Sequence, residues 1–262
     1  MRVRRVFAAV GLVLLIEGII FFWLSFAKSG IPVTDKGGDT EQKDTTTIGK
    51  GGEAAKQRGM SNKKACRIYR KNPVNLVLVN KEHALDKSYN ASLRTICNGR
   101  LQASKRLYRA LVRMLHDAGE EGHHFWIASA WRSREKQQKL IDEDVRKEMQ
   151  RGASYEEALE ETLQETMEPG HSEHETGLAL DILCSGNINM DSSQEREPGN
   201  IWLRENCHRY GFILRYPEDK KKITGIRYEP WHFRYVGEKA SKYMKKYNLT
   251  LEEFWEIISA EN

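Results

Sequence analysis

Residues 171–181, HSEHETGLALD, and residues 229–237, EPWHFRYVG, are the two stretches that decide how this chain folds. Between them they supply His174, Asp181 and His232. Two imidazoles and a carboxylate are common protein ligands of a catalytic zinc ion, which takes three such ligands and leaves a fourth position open. We therefore predict a zinc centre whose ligands come from two distant segments of the chain.

The first two ligands do not fit on one helix. The His-Glu pair at 174–175 begins the H-E-x-x-H motif of helical zinc sites, but Leu178 stands where the second histidine is needed. Gly177 also disfavours a helix. We predict instead that His174 lies in a loop that turns at Gly177, and that Asp181 lies on the strand that follows.

Each ligand also has an ordinary structural interpretation. His171, three residues before His174, is a competing ligand. Taken alone, Asp181 reads as a strand-end carboxylate that caps a loop, and His232 as a half-buried imidazole on a strand. Their occurrence together at this spacing favours the metal site.

Glu229 stands three residues before His232, with Pro230 between them. Proline interrupts a regular strand, so Glu229 can turn toward the metal instead of facing away from it. A carboxylate in that position can take a proton from the attacking water and pass it to the leaving amine. The pattern predicts a zinc peptidase with Glu229 as its general base.

Arg132 lies between a predicted strand, residues 125–130, and a predicted helix, residues 133–150. Catalytic groups are often found at such junctions. A guanidinium group can hold a carboxylate or a developing oxyanion through two hydrogen bonds, which a lysine cannot match. Arg132 is therefore a candidate catalytic and substrate-binding residue.

Four segments also carry a resemblance to a known family. They are NLVLVNKEHAL (75–85), ASAWRSREKQ (128–137), SEHETGLALD (172–181) and EPWH (229–232). The last three fit S-x-[YW]-R-S-x-x-x-Q, S-x-H-x-x-G-x-A-x-D and E-x-x-H, and the first resembles the strand that opens the family's catalytic domain. In this order they resemble zinc D-alanyl-D-alanine carboxypeptidases of the VanY type. The resemblance assigns the first ligand to His174 and implies that Arg132 supports the scissile region. It also implies that Gln137 and Ser172 help to bind the peptide.

Helices and strands alternate without a regular βαβ order, which predicts an α+β fold. The resemblance implies the hedgehog/DD-peptidase-like form of that fold, a small and mainly antiparallel sheet flanked by helices. Apolar runs predict strands at residues 74–79, 125–130, 178–183, 212–215 and 231–236. Helices are predicted at residues 104–118, 133–150, 154–167, 202–210, 238–247 and 251–259.

The N-terminal region predicts a membrane anchor. Arg2, Arg4 and Arg5 precede an apolar stretch at residues 6–27, long enough to cross a bilayer as one helix with its N-terminus in the cytoplasm. A cleaved signal peptide is the alternative. We predict an anchor at residues 1–28, a flexible polar stalk at 29–65 and an extracellular zinc carboxypeptidase domain at 66–262.

Charge and cysteine content limit the remaining possibilities. The net charge of +5 is modest and no basic stripe interleaved with aromatic residues occurs, so nucleic acid is not a predicted partner. The four cysteines lie on the predicted exported side, where disulfides can form. Proximity in sequence favours the pairs Cys66–Cys97 and Cys184–Cys207, and free buried thiols are the alternative.

The predicted function is a zinc-dependent D-alanyl-D-alanine carboxypeptidase, tethered to the cell membrane. It would remove the terminal D-alanine from peptidoglycan stem peptides, in wall maturation or in glycopeptide resistance. Three alternatives stay open: an L,D-carboxypeptidase, a peptidoglycan endopeptidase, and a zinc-containing wall-binding module without catalysis. The oligomeric state is not predicted.

Overall fold

The computed structural model describes residues 61–261 of the chain. The predicted membrane helix and the predicted stalk up to residue 60 lie outside the described residues. From residue 61 to residue 261, no helix combines the length and the apolar character needed to span a bilayer. Residues 61–65 were predicted to belong to the stalk, but they are part of a helix, α1 (residues 61–71), and Ala65 is fully buried.

A small hairpin precedes the main sheet. Strand β1 (Leu93–Ile96) pairs antiparallel with β2 (Leu101–Ser104) through a tight connection at Cys97–Gly99. This hairpin is not among the elements predicted from the sequence. Both strands are only four residues long and each is partly exposed, so neither shows the apolar run or the clean alternation that identifies a strand.

The main sheet has four antiparallel strands in the order β3-β4-β6-β5. They are β3 (Phe125–Ser129), β4 (Ala179–Cys184), β5 (Phe212–Leu214) and β6 (His232–Tyr235). Every residue of the central strand β4 is buried, as its apolar sequence requires. The predicted α+β class with a small antiparallel sheet is confirmed, and the four predicted strands of this sheet agree with the observed ones to within one residue at each end.

Seven further helices follow α1 within residues 72–261. They are α2 (Lys105–Glu120), α3 (Arg134–Gln150), α4 (Tyr155–Thr162), α5 (Pro198–Asn206), α6 (Lys221–Thr224), α7 (Glu238–Tyr247) and α8 (Leu251–Ser259). Several begin at side chains that accept a backbone hydrogen bond, a cap that stabilises a helix by about 1 kcal/mol. Ser133 caps α3, and Ser154 with Glu157 forms a capping box at α4.

The two largest apolar clusters of the described residues form most of the core. In the first, Leu107, Leu111 and Met114 of α2 pack against the main sheet. In the second, Ala65 of α1 and Phe254 of α8 pack with residues of α7. The first cluster backs the strands that carry the metal-binding candidates, so it holds them at fixed positions.

The structure corrects three predicted elements. Residues 74–79 are not a strand: a 3-10 turn at Pro73–Leu76 leads into an irregular segment, because proline sets the backbone for the first position of a helical turn. The helix predicted at 154–167 ends at Thr162 and continues as turns. The helix predicted at 202–210 begins earlier, at Pro198, and residues 207–210 form a 3-10 turn.

The predicted disulfide pairs are wrong, because all four thiols are free. Cys66 packs in the second apolar cluster and Cys207 in the first, so both behave as small apolar core residues. Burial raises the pKa of the Cys207 thiol to about 12. The alternative of free, largely buried thiols therefore holds.

Gly177 ends the turn that carries His174, with φ of 69°. An added Cβ would lie 3.0 Å from Leu93 Cδ2 and 3.1 Å from the Ser104 nitrogen. We therefore expect Gly177→Ala to lower the free energy of unfolding by about 2 kcal/mol or more, measured by urea denaturation. Gly119→Ala is the control, because its backbone is helical and an added Cβ meets nothing within 4 Å. Equal losses in the two variants would contradict the prediction.

Candidate metal centre

His174 lies in the 3-10 turn Glu173–Thr176, which Gly177 closes in the left-handed conformation. Its ring nitrogen Nδ1 is 2.7 Å from the carbonyl oxygen of Ala130. A carbonyl only accepts hydrogen bonds, so Nδ1 carries the proton and Nε2 keeps its lone pair. Nε2 points to Asp181, with 3.2 Å between Nε2 and Oδ2.

The register of the main sheet brings the other two candidates together. Asp181 on β4 is directly opposite His232 on β6 and also opposite Ser129 on β3. Residues that are paired across antiparallel strands project from the same face. Two side chains 51 positions apart therefore meet, with 3.2 Å between His232 Nδ1 and Asp181 Oδ1.

The three side chains form a donor set that fits zinc. One donor atom from each of His174, Asp181 and His232 lies within 4.8 Å of the others, and all three residues are buried. Donors bonded to one tetrahedral zinc at roughly 2.0 Å are separated by roughly 3.3 Å, close to the two imidazole–carboxylate distances of 3.2 Å. Asp181 Oδ1 is buried without a hydrogen-bond partner in residues 61–261. Such an atom is expected where a cation binds.

The protonation of the cluster suits a cation. Burial lowers the pKa of His174, although Asp181 opposes this effect, so the imidazole is available as a neutral ligand. Burial also disfavours ionised Asp181, but His174 and His232 outweigh it and hold the pKa of that carboxyl well below its usual range. For His232, burial alone would lower the pKa, yet the nearby carboxylates of Asp181 and Glu173 raise it to about 9. A bound cation would displace that proton.

Glu229 is held beside the cluster by a turn. The backbone nitrogen of His232 donates to the Glu229 carbonyl at 3.2 Å, and Asn200 Nδ2 donates to the Pro230 carbonyl at 2.7 Å. The strand begins only at His232, so Pro230 is outside it, as the sequence predicts. Glu229 Oε2 lies 3.5 Å from His232 Nδ1. Burial raises the pKa of the Glu229 carboxyl to about 8, although His232 opposes this effect.

Arg132 reaches the same region from the junction between β3 and α3. Its Nη1 donates to Gln137 Oε1 at 2.8 Å, and its Nη2 donates to Ser129 Oγ at 3.0 Å. Burial lowers the pKa of Arg132, and the negative charges of Asp181 and Glu229 oppose this effect, because the guanidinium group lies near both. Arg132 therefore adds a fixed positive charge beside the metal-binding candidates.

The other predicted site residues lie in different surroundings. Gln137 is almost fully buried, and its Nε2 donates to the Met167 carbonyl at 2.6 Å, so it holds Arg132 in place and presents no free amide. Ser172 is buried directly before the turn of His174. His171 bonds through Nδ1 to the Asn80 carbonyl at 2.7 Å and is not part of the metal-binding group found in the described range.

The buried charges behind the site were not predicted from the sequence. Glu173 lies between Arg215 and Arg234, and all three side chains are fully buried. A signal was available in the strands themselves, because Arg215 directly follows the apolar residues of β5 and Arg234 interrupts those of β6. A cation at such a position needs a buried anion, but the sequence alone does not name the partner.

A family comparison identifies the class of this centre. Residues 100–238 match the family model of VanY, D-alanyl-D-alanine carboxypeptidase. The chain belongs to this family. In this member, His174, Asp181 and His232 are the group of described side chains that could hold a metal ion.

Two curated proteins are similar over most of the domain. YodJ of Bacillus subtilis (strain 168) is 35% identical over 198 residues, which cover 71% of this chain and 69% of YodJ. The D-alanyl-D-alanine carboxypeptidase of Enterococcus faecalis (strain ATCC 700802 / V583) is 37% identical over 179 residues, which cover 68% of this chain and 65% of that protein. The chain thus spans about two thirds of the length of these relatives.

Two solved structures share the fold of this VanY member. One is a mutant of the D,D-pentapeptidase VanY from a VanB-type vancomycin resistance cassette, in complex with Zn(II). It has a TM-score of 0.63 and 35% identity, and the match covers 70% of this chain and 99% of that one. The other is the LD-carboxypeptidase LdcB, with a TM-score of 0.61 and 34% identity over 71% of this chain and 88% of that one. The zinc complex supports the fit of zinc to the His-Asp-His group.

Proposed function

We propose that this VanY member removes the terminal D-alanine from the stem peptides of peptidoglycan. The observation that carries the proposal is the position of Glu229 Oε2, 3.5 Å from His232 Nδ1, beside the His174–Asp181–His232 group. A hydrolytic metal site needs a base that does not itself bind the metal, and Glu229 is placed for that task.

Each group in the site has a separate role in peptide hydrolysis. Zinc, when bound, polarises the scissile carbonyl and makes water more acidic. Glu229 takes a proton from the attacking water at Oε2 and passes it to the nitrogen of the departing D-alanine as the C–N bond breaks. Arg132 places its positive charge against the terminal carboxylate of the substrate or the negative charge that develops on the carbonyl oxygen.

Gln137 supports this role of Arg132 by holding its guanidinium group. We expect Gln137→Leu to lower kcat/KM about 10- to 100-fold, the effect of losing a hydrogen bond to a charged group. Steady-state kinetics on a D-Ala-D-Ala peptide measure this. The control is Gln138→Leu, an exposed neighbour that bonds only to Asp142 among the residues described. The prediction fails if the two variants have the same activity.

Glu229 also argues against a wall-binding module without catalysis. Its carboxyl is buried, and burial raises its pKa to about 8. Ionising this group inside the protein costs stability. Carboxyl groups with pKa values shifted in this way cluster at functional sites. A module that only binds its ligand has no use for a base at that position.

The amino acid that precedes the terminal D-alanine decides between two specificities. The family model supports a D,D-carboxypeptidase, and the similarity to LdcB makes an L,D-carboxypeptidase the second candidate. Peptidoglycan endopeptidase activity is the third. Zinc-loaded protein should be incubated separately with a muramyl pentapeptide ending in D-Ala-D-Ala, a tetrapeptide ending in one D-alanine, and a cross-linked dimer.

The products, read by mass spectrometry, distinguish these activities. Release of D-alanine from the pentapeptide at a much higher kcat/KM than from the tetrapeptide supports the proposal. Preference for the tetrapeptide supports the L,D activity, and a loss of cross-links without release of D-alanine supports the endopeptidase. Neither release of D-alanine nor loss of cross-links from any substrate with zinc present would overturn all three.

We further propose that the domain acts outside the cell, anchored by residues 6–27. The arginines before that apolar stretch and its length support this proposal. Fractionation of cells that express the full chain tests it: the protein should remain with membranes after washing in high salt and should be digested by protease added to intact protoplasts.

A further inference from the structure

Glu173 belongs to the same turn as His174, but its side chain is directed into the protein interior. Its Oε1 accepts hydrogen bonds from Arg215 Nε at 2.7 Å and from Arg234 Nη1 at 2.6 Å. Both guanidinium groups are fully buried, and so is the Glu173 side chain. One oxygen of Glu173 is therefore occupied by two positively charged donors.

The second oxygen of Glu173 faces a metal-binding candidate. Oε2 lies 3.5 Å from His232 Nε2, and neither atom has a hydrogen-bond partner among residues 61–261. The other ring nitrogen, Nδ1, lies 3.2 Å from Asp181 Oδ1 and 3.5 Å from Glu229 Oε2. One nitrogen of the imidazole thus faces the metal-binding group and the other faces Glu173.

We propose that Glu173 is a positioning residue that keeps the proton of His232 on Nε2, so that Nδ1 is free to bind zinc. A carboxylate accepts hydrogen bonds and cannot donate them, so it favours the tautomer with Nε2 protonated. Partners of this kind set the tautomer and the ring orientation of metal-binding histidines. His174 is held in the complementary tautomer by the Ala130 carbonyl, so the two imidazoles bind through different nitrogens.

The two arginines make the orientation of Glu173 unambiguous. Arg215 donates from Nη1 and Nη2 to both oxygens of Glu252 on α8, at 2.8 and 2.6 Å. Arg234 donates from Nη2 to the carbonyl oxygens of Asn75 and Val77, at 3.2 and 2.9 Å. Because these partners fix both guanidinium groups, Oε1 of Glu173 stays bonded to them and Oε2 is the oxygen that remains for His232.

Glu173→Gln tests this arrangement by replacing one oxygen with a donor. The arginines donate, so the amide oxygen of glutamine must face them, and its NH₂ group must then face His232 Nε2. Two donors repel each other, which favours a ring with its proton on Nδ1, the atom needed for zinc. We expect the dissociation constant for zinc, measured by competition with a chelator, to rise about 10- to 100-fold.

Nitrogen-15 NMR of the zinc-loaded protein reports on the tautomer directly. In the wild type, the His232 ring should show a downfield proton on Nε2 that exchanges slowly, with Nδ1 bound to metal. In Glu173→Gln at saturating zinc, that proton should move upfield and exchange faster, because its acceptor is gone. A role in packing alone would not change this signal.

Glu252→Gln is the matched control, because it removes the other buried carboxylate bonded to Arg215 without contacting His232. It should lower the melting temperature while zinc affinity and the Nε2 proton stay as in the wild type. Zinc affinity of Glu173→Gln within twofold of the wild type would overturn the proposal, and so would an equal loss of affinity in Glu252→Gln.

The wild-type spectrum decides the matter even if Glu173→Gln does not fold. A proton on Nδ1 of His232 in the zinc-loaded wild type would overturn the proposal, and a proton on Nε2 with Nδ1 bound to metal supports it. These measurements use zinc alone without substrate, so their failure would leave the proposed carboxypeptidase function untouched.

Discussion

Replacing Glu229 with glutamine should lower kcat by about 10²- to 10⁴-fold, the usual contribution of a general base. The variant keeps the size and shape of the side chain but cannot take a proton from water. Zinc affinity should stay within a few-fold of the wild type, because Glu229 is not one of the three side chains grouped as ligands. Kinetics on a D-Ala-D-Ala peptide, together with the zinc content of the purified protein, measure both quantities.

The melting temperature of the metal-free variant distinguishes a loss of catalysis from misfolding. Burial raises the pKa of the Glu229 carboxyl to about 8, above its ordinary value of 4.5. In the metal-free protein, stability linked to this group therefore falls as the pH rises from about 4.5 to 8, and a neutral glutamine avoids that loss. We expect metal-free Glu229→Gln to melt no lower than the wild type at pH 7. Glu161→Gln, an exposed carboxylate paired with Arg227, is the control and should keep full activity. A Glu229→Gln enzyme that keeps more than a tenth of the wild-type kcat would refute the assignment of the base.

Asp181→Asn is expected to abolish activity at limiting zinc by removing the charged ligand at the centre of the site. Asp181 lies 3.2 Å from a ring nitrogen of each histidine, so its negative charge acts on both. The amide keeps the volume but loses the charge, and we expect zinc to bind at least 100-fold more weakly. Chelator competition and activity measured against zinc concentration test this.

Thermal unfolding gives a second, independent measure of the same loss. A ligand present at 1,000 times its dissociation constant stabilises the folded state by about 4.1 kcal/mol. If Asp181→Asn binds zinc 100-fold more weakly, the same concentration stabilises it by only about 1.4 kcal/mol. The zinc-induced rise in melting temperature should therefore shrink to about a third. A full rise in the variant would mean that Asp181 is not a ligand.

The elements that sequence reasoning located are those with strong local signals. The apolar run around Asp181 predicts a buried strand, and the leucines of α2 at helical spacing predict its inward face. Gly177 predicts the turn between two ligands, because few other residues adopt a positive φ. These signals depend on neighbouring residues only, and the structure agrees with them.

The features that were not predicted depend on contacts between residues that are far apart in the sequence. The β1–β2 hairpin is held by a backbone hydrogen bond between Ser104 and Gly177, which are far apart in the chain. The predicted pairing of Cys66 with Cys97 used proximity in sequence, whereas Cys66 packs against helices from the C-terminal part of the domain. The hydrogen bond that Gln137 accepts from Arg132 likewise depends on the folded chain.

The amino-acid sequence by itself determined the chemistry of this protein: which side chains are available as ligands, where the turn between them lies, and that a carboxylate accompanies the last histidine. Only the tertiary structure decided the register that sets Asp181 opposite His232, the nitrogen that each imidazole presents, and the pairing of Glu173 with two buried arginines. The physical reason is that ligand type is a property of single residues. Distance, burial and tautomer arise from segments that meet only when the chain is folded.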